Sequence, residues 1–190
     1  AGEARQHPSH GCLPIADAAP FSEDPVADLV SLLDLERIDA NPFRGQSPDD
    51  GMKRVFGGQV IAQALVAAYR TVENRVCHSL HAYFIRPGDP TIPILYEVDR
   101  ARDGKSFATR RVVAIQHGEQ IFNMTASFQT AESGLEHQVA MPQVPGPHEL
   151  QDLETLAREF SGELPARMQR FLAWERPIHV RPVDPRQFLF

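Results

Sequence analysis

The sequence predicts an α+β domain in which a curved antiparallel sheet wraps around one central helix. Three observations carry that expectation. From Val55 to Val72 runs a stretch that is apolar nearly all round at helical spacing, with Gln59, Gln63 and Arg70 as its strongly polar members. Strand-like segments with alternating side chains follow it, joined by tight turns. A helix with so little polar face, and too short to span a bilayer, needs a sheet to bury it.

The elements follow in chain order. Residues 1–22 mix prolines and scattered polar residues without a period, as expected of a flexible arm. Asp24 fits an N-cap and Pro25 a first helical turn, before Val26, Leu29, Leu32, Leu33 and Glu36 recur on one face. This one-sided helix is expected to lie across the outside of the domain. Residues 41–51, with Pro42, Gly45, Pro48 and Gly51, are expected to form a turn-rich connection.

Gly57 and Gly58 permit an unusual backbone just ahead of the central helix, where Ile61, Ala64, Leu65 and Ala68 share a face. Strands are expected over 75–86, 94–100, 106–116 and 121–129, the last three joined at Asp103-Gly104 and His117-Gly118 into a meander. In the first of them, strict alternation separates Leu80, Ala82 and Phe84 from Cys77, Ser79, His81 and Tyr83. It also places His78 and His81 on opposite faces, which argues against a two-histidine metal clip. Residues 141–147 are rich in proline and read as a linker. Leu153, Leu156, Ala157 and Phe160 then recur at helical spacing, and Ile178-His179-Val180 begins another candidate strand.

Composition narrows the function. The formal net charge of -6 over 190 residues disfavours a nucleic-acid surface. Cys12 and Cys77 are too few for a disulfide framework or a cysteine metal site. With no apolar stretch of spanning length, the expectation is a soluble, cytoplasmic chain without membrane insertion.

Several blocks in order sharpen this reading. Phe43-Arg44-Gly45-Gln46-Ser47, Val55-Phe56-Gly57-Gly58-Gln59-Val60 and the run from His78 to Asp89 closely resemble the type II acyl-CoA thioesterases. So do Arg102-Asp103-Gly104-Lys105-Ser106-Phe107, the run from Ile121 to Gln129 and Arg181-Pro182-Val183. The resemblance extends from about Leu29 to Asp184 and implies the hotdog fold, two units of which that family carries in one polypeptide. It implies a first hotdog unit over 23–132, a linker with helices over 133–176 and the start of a truncated second unit over 177–190. It further implies hydrolysis of acyl-CoA to fatty acid and CoA, without metal or organic cofactor.

The family's water-activating Asp, Thr or Ser, and Gln lie in the second unit and transfer to no position here, so the catalytic residues stay unassigned. Superposing the two halves places Gly57, Cys77 and Ser127 near those three positions. The alternative function is a truncated, non-catalytic hotdog that binds acyl-CoA or only assembles. In either case hotdog sheets pair edge to edge, so a homodimer or higher oligomer is expected.

Candidate substrate contacts each have a plainer explanation. Gly57 and Gly58 can offer N–H groups to a thioester oxygen, or simply allow a tight turn. Gln59 can bond substrate or cap the first turn. His81, sharing a face with Tyr83, can sit near the acyl tunnel or serve structure alone. Arg86, Arg102 and Lys105, with Arg100, Arg110 and Arg111, can meet CoA phosphates or end as solvated strand termini. Cys77 reads as a small core residue rather than an acyl-accepting nucleophile.

Overall fold

The computed structural model describes residues 24–48, 52–172 and 176–190. The arm expected over 1–22, the turn at Asp49–Gly51 and Cys12 lie outside the described residues.

Helix α1, Pro25–Leu33, starts as expected, with the Asp24 carboxylate accepting from the Ala27 N–H at 3.0 Å. It ends before Glu36, which instead joins β1, Glu36–Arg37. No residue of α1 is fully buried, in keeping with an outer position. Strand β2, Pro42–Gly45, forms where only turns were expected. Phe43, completely buried, supplies the apolar anchor, and Pro42 is accommodated at the first position of the strand.

Helix α2, Gly57–Tyr69, contains both glycines in its first turn rather than being preceded by them. Neither glycine has a positive φ, so backbone freedom is not what places them there. The strands β3, Val76–Phe84, β4, Ile94–Asp103, β5, Phe107–Gln116, and β6, Glu119–Gln129, complete the sheet. Its order is β1-β2-β4-β5-β6-β3, with every neighbouring pair antiparallel.

Alternation decides what the sheet buries. Tyr96, Val112, Ala114, Phe122, Met124 and Phe128 face α2 and are essentially inaccessible. The helix meets them with Val60, Ala64, Ala67 and Ala68, small enough for the sheet to come close. The expected helix wrapped by a sheet is therefore present. Strand β3, next to α2 in sequence, crosses to the far edge beside β6 and leaves its other edge open. Val76, Leu80, Tyr83 and Phe84 on it remain exposed.

A bulge between Cys77 and Ser79 overturns the strict alternation expected for β3. Cys77 pairs with Phe128 and shares the helix-facing side with Leu80 and Ala82. His78 swings onto the outer face, its Nε2 2.9 Å from Ser127 Oγ, so it shares that face with His81. Even so, no group of three or more His, Cys, Asp or Glu among the described residues can hold a metal ion.

A second small core follows the sheet. Helices α3, Leu153–Glu159, α4, Ala166–Leu172, and α5, Pro185–Leu189, bury Leu153, Leu156, Phe160, Leu164, Leu172 and Leu189 together. The strand expected at Ile178-His179-Val180 does not form. That segment is irregular among its prolines, and Asp184 caps α5 by accepting from Gln187 N–H at 3.0 Å. No helix among the described residues is long and apolar enough to cross a membrane.

Candidate functional site

The N-terminus of α2 is where the chain offers polar groups without intrahelical partners. Phe56 is the N-cap and makes no capping hydrogen bond, so the first-turn N–H groups of Gly57 and Gly58 point outward unused by the helix. Gly57 lies under the Phe84 ring, where an added Cβ would stand 3.1 Å from ring carbons. A Cβ at Gly58 would meet only the Phe56 ring, which is 74% exposed and free to swing aside.

Beside this turn opens a cavity of about 360 Å3. Val55, Val60, Phe84, Ile121 and Phe122 form its apolar wall, and Arg54 and Arg86 stand at its edge. Its walls are tied together by backbone bonds. Val55 N–H donates to Gly88 carbonyl at 3.0 Å, and Ile85 and Arg86 N–H both donate to the Ile121 carbonyl. Gln116, 5% exposed, accepts from Asp89 N–H at 2.8 Å and donates to the Asp89 and Ile92 carbonyls at 2.9 Å. Within that loop the Asp89 carboxyl is held below its ordinary range by the Thr91 hydroxyl and N–H. Arg86 donates to the Gln120 carbonyl at 2.8 Å and pairs with Glu119 at 3.3 Å. A larger cavity of about 480 Å3, between Pro25–Val26 and residues 176–180, contains none of the expected substrate contacts.

The structure separates the residues that were expected to act together. Gly57 and Arg86 line this cavity. Gln59 neither caps the helix nor faces the cavity. Its Nε2 donates to Gln46 carbonyl at 2.9 Å and Ser47 Oγ at 3.0 Å, fixing the connection that precedes α2. His81 and Tyr83 stack edge to face, 4.8 Å apart, on the outer side of the sheet and away from α2. Cys77 packs at the border of the main core.

Arg102 and Lys105 occupy the β4–β5 hairpin, at the opposite end of α2. Arg75, just before β3, donates to the Gly104 and Lys105 carbonyls there. Strands of 10 residues place that hairpin about 30 Å from Arg86, so within one unit these cations do not share a phosphate. Arg110 is no surface cation at all. It is 1% exposed and bonded to Thr71 and Asp103. Arg100 is likewise engaged, with Asn41 and the Ala40 carbonyl. Arg54, Val60 and Ile121 escaped the sequence reading because no spacing rule brings 54, 60 and 121 to one place.

Comparison with known proteins fits this geometry. Residues 46–129 match the family described as the acyl-CoA thioesterase N-terminal domain. That stretch is similar to the first domain of the acyl-CoA thioesterases. The match takes in α2, β3 and β6, which line the cavity, together with β4 and β5. Human acyl-coenzyme A thioesterase 8 is 46% identical over 175 residues, taking in 85% of this chain and 55% of its own. The chain thus spans about half the length of that relative. A tesB protein from Mycobacterium avium subs paratuberculosis superposes with a TM-score of 0.63 at 36% identity, covering 66% of this chain and 50% of that one. The fold is the hotdog fold. A structure from Alicyclobacillus acidocaldarius described as having it superposes with a TM-score of 0.58 at 23% identity, over 75% and 52% of the two chains.

Proposed function

We propose that the whole protein hydrolyses acyl-CoA to free fatty acid and CoA, and that this chain supplies the first of two hotdog units. On this reading residues 23–132 are that unit, 133–176 the join and 177–190 the beginning of the next. The observation that carries it is the cavity at the start of α2, with unused N–H groups beside an apolar wall, inside a thioesterase domain. Such an arrangement suits the oxygen and the chain of an acyl group. Thioester hydrolysis also needs a group to activate water. None of the described residues lining the cavity is a carboxylate, histidine, hydroxyl or thiol. Water activation is therefore assigned to the second unit, with neither metal nor organic cofactor, and the cytoplasm suits a chain with two cysteines.

The test is thiol release from a panel of acyl-CoAs by the protein carrying both units. Release of CoA above background from at least one chain length is expected. No release from any member of the panel would reject the activity.

Assembly belongs to the same proposal. An exposed edge strand with Val76, Leu80, Tyr83 and Phe84 in water is a template for another strand. Residues 1–190 are accordingly expected to form at least a homodimer at micromolar concentration. Light scattering that returns the 21.2 kDa of a single chain would contradict this.

A further inference from the structure

We infer that Gln116 is a positioning residue: it holds the loop between β3 and β4 in the place where that loop closes one side of the cavity, and so governs how firmly substrate is bound. The loop, residues 85–93, belongs to no strand, and none of its residues is fully buried, so apolar packing does not set its path. Pro87, Pro90 and Pro93 have no N–H to offer. The first half is fixed by backbone bonds. Ile85 and Arg86 N–H donate to the Ile121 carbonyl, and the Gly88 carbonyl accepts from Val55 N–H. Beyond Gly88 the fastening passes to Gln116, the last residue of β5 and 5% exposed. Its amide stands in for the peptide group of a neighbouring strand. Oε1 accepts from Asp89 N–H at 2.8 Å, and Nε2 donates to the Asp89 and Ile92 carbonyls at 2.9 Å. Both Nε2 hydrogens are thus spent on the loop.

The place of these bonds gives Gln116 a role beyond stability. Arg86, Pro87 and Gly88, the loop residues that line the cavity, lie between the anchor at Ile121 and the anchor at Gln116. Removing the second anchor frees that wall, while the ladders of β5 with β4 and β6 consist of backbone bonds and remain. The fit is close. A Cβ at Gly88 would stand 3.1 Å from Val55 and 3.3 Å from Gln116 Oε1. Gln116 does not itself line the cavity, so it acts through the loop and not by touching substrate. The inference rests on the reading that this cavity takes an acyl group. It adds which side chain, outside the cavity, keeps the wall in register with that group.

The experiment measures CoA release from dodecanoyl-CoA and butanoyl-CoA by the protein carrying both units, native and as Gln116→Met, which keeps the side-chain length and removes all three bonds. The KM for dodecanoyl-CoA is expected to rise about tenfold with kcat within about twofold, the pattern of binding lost equally from ground and transition states. A tenfold rise corresponds to withdrawing roughly two methylene groups from the wall. Butanoyl-CoA, whose short chain covers little of the wall, is expected to change by less than about threefold. Gly88→Ala sets a methyl group against Gln116 Oε1, pushes the loop off the same amide and is expected to give the same pattern. It decides the matter if Gln116→Met does not fold. A lowered unfolding temperature with KM unchanged for both substrates, or a KM rise of equal size for both, would overturn the inference. So would a native protein that releases CoA from neither substrate. Release from no member of the wider panel removes the proposed activity as well, whereas native turnover that neither variant alters removes the role of Gln116 alone.

Discussion

Replacing Arg110 with methionine is expected to cost about 3–5 kcal/mol of folding stability, because more than one buried acceptor loses its donor at about 1–3 kcal/mol each. All its donors are engaged. Nε donates to Thr71 Oγ1 at 2.8 Å, and Nη1 to the Arg102 and Thr109 carbonyls at 3.0 and 2.9 Å. Nη2 donates to the Thr71 carbonyl at 2.9 Å and to Asp103 Oδ1 at 2.5 Å. Thr71 lies just past the end of α2, and Arg102 and Asp103 belong to the β4–β5 hairpin. The guanidinium therefore ties the helix end to the sheet. Methionine leaves the buried Thr71 carbonyl and hydroxyl oxygen without that donor. Asp103 is 54% exposed, and water can take the place of its partner. Asp103→Asn is accordingly expected to cost only about 1 kcal/mol. Urea unfolding of the two variants measures the difference, and equal losses would contradict the asymmetry.

Gln63→Leu is expected to lose about 2–4 kcal/mol, through unpaired buried groups rather than through volume. Gln63 is fully buried on α2. Its Nε2 donates to the Leu32 carbonyl at 2.8 Å and the Gln46 carbonyl at 2.9 Å, and its Oε1 accepts from the Tyr96 hydroxyl at 2.8 Å. One side chain thus braces α1, the end of β2 and β4 against the central helix. Burial pushes the Tyr96 phenol up, so it stays a protonated donor. Gly45 belongs to the same brace, since a Cβ there would stand 2.5 Å from Gln63 Oε1. The double variant Gln63→Leu/Tyr96→Phe is expected to lose less than the sum of the single changes, because both break one shared bond. Strict additivity in denaturant unfolding would show that the bond contributes nothing.

These residues also show what the chain discloses before folding. The apolar helix and the alternating strands were legible because periods of 3.6 and 2 are local properties. Arg110 shares its parity with Ala108, Val112 and Ala114, yet the sequence reading grouped it with the cations that meet phosphate or solvent, and the structure buries it. What it bonds there depends on Thr71, distant in sequence. Strand β2 was hidden because Pro42 and Gly45 resemble turn residues, while Gly45 is there to make room for Gln63. The bulge at His78 has no mark in the alternation that it breaks, which is why the faces of Cys77 and His78 were misassigned. The thioesterase blocks identified the family, but not which of their residues meet. Gly57 and Arg86 line one cavity, whereas His81, Tyr83, Arg102 and Lys105 lie elsewhere.

The decisive measurement is CoA release by residues 1–190 alone, run beside acyl-CoA binding on the same preparation. On the proposed reading, in which the cavity takes an acyl group and no described residue lining it activates water, saturable binding and no release above background are expected. Steady turnover by this chain, abolished by a change at His81 or Gln59, would contradict that picture and mean that the unit is an enzyme in its own right.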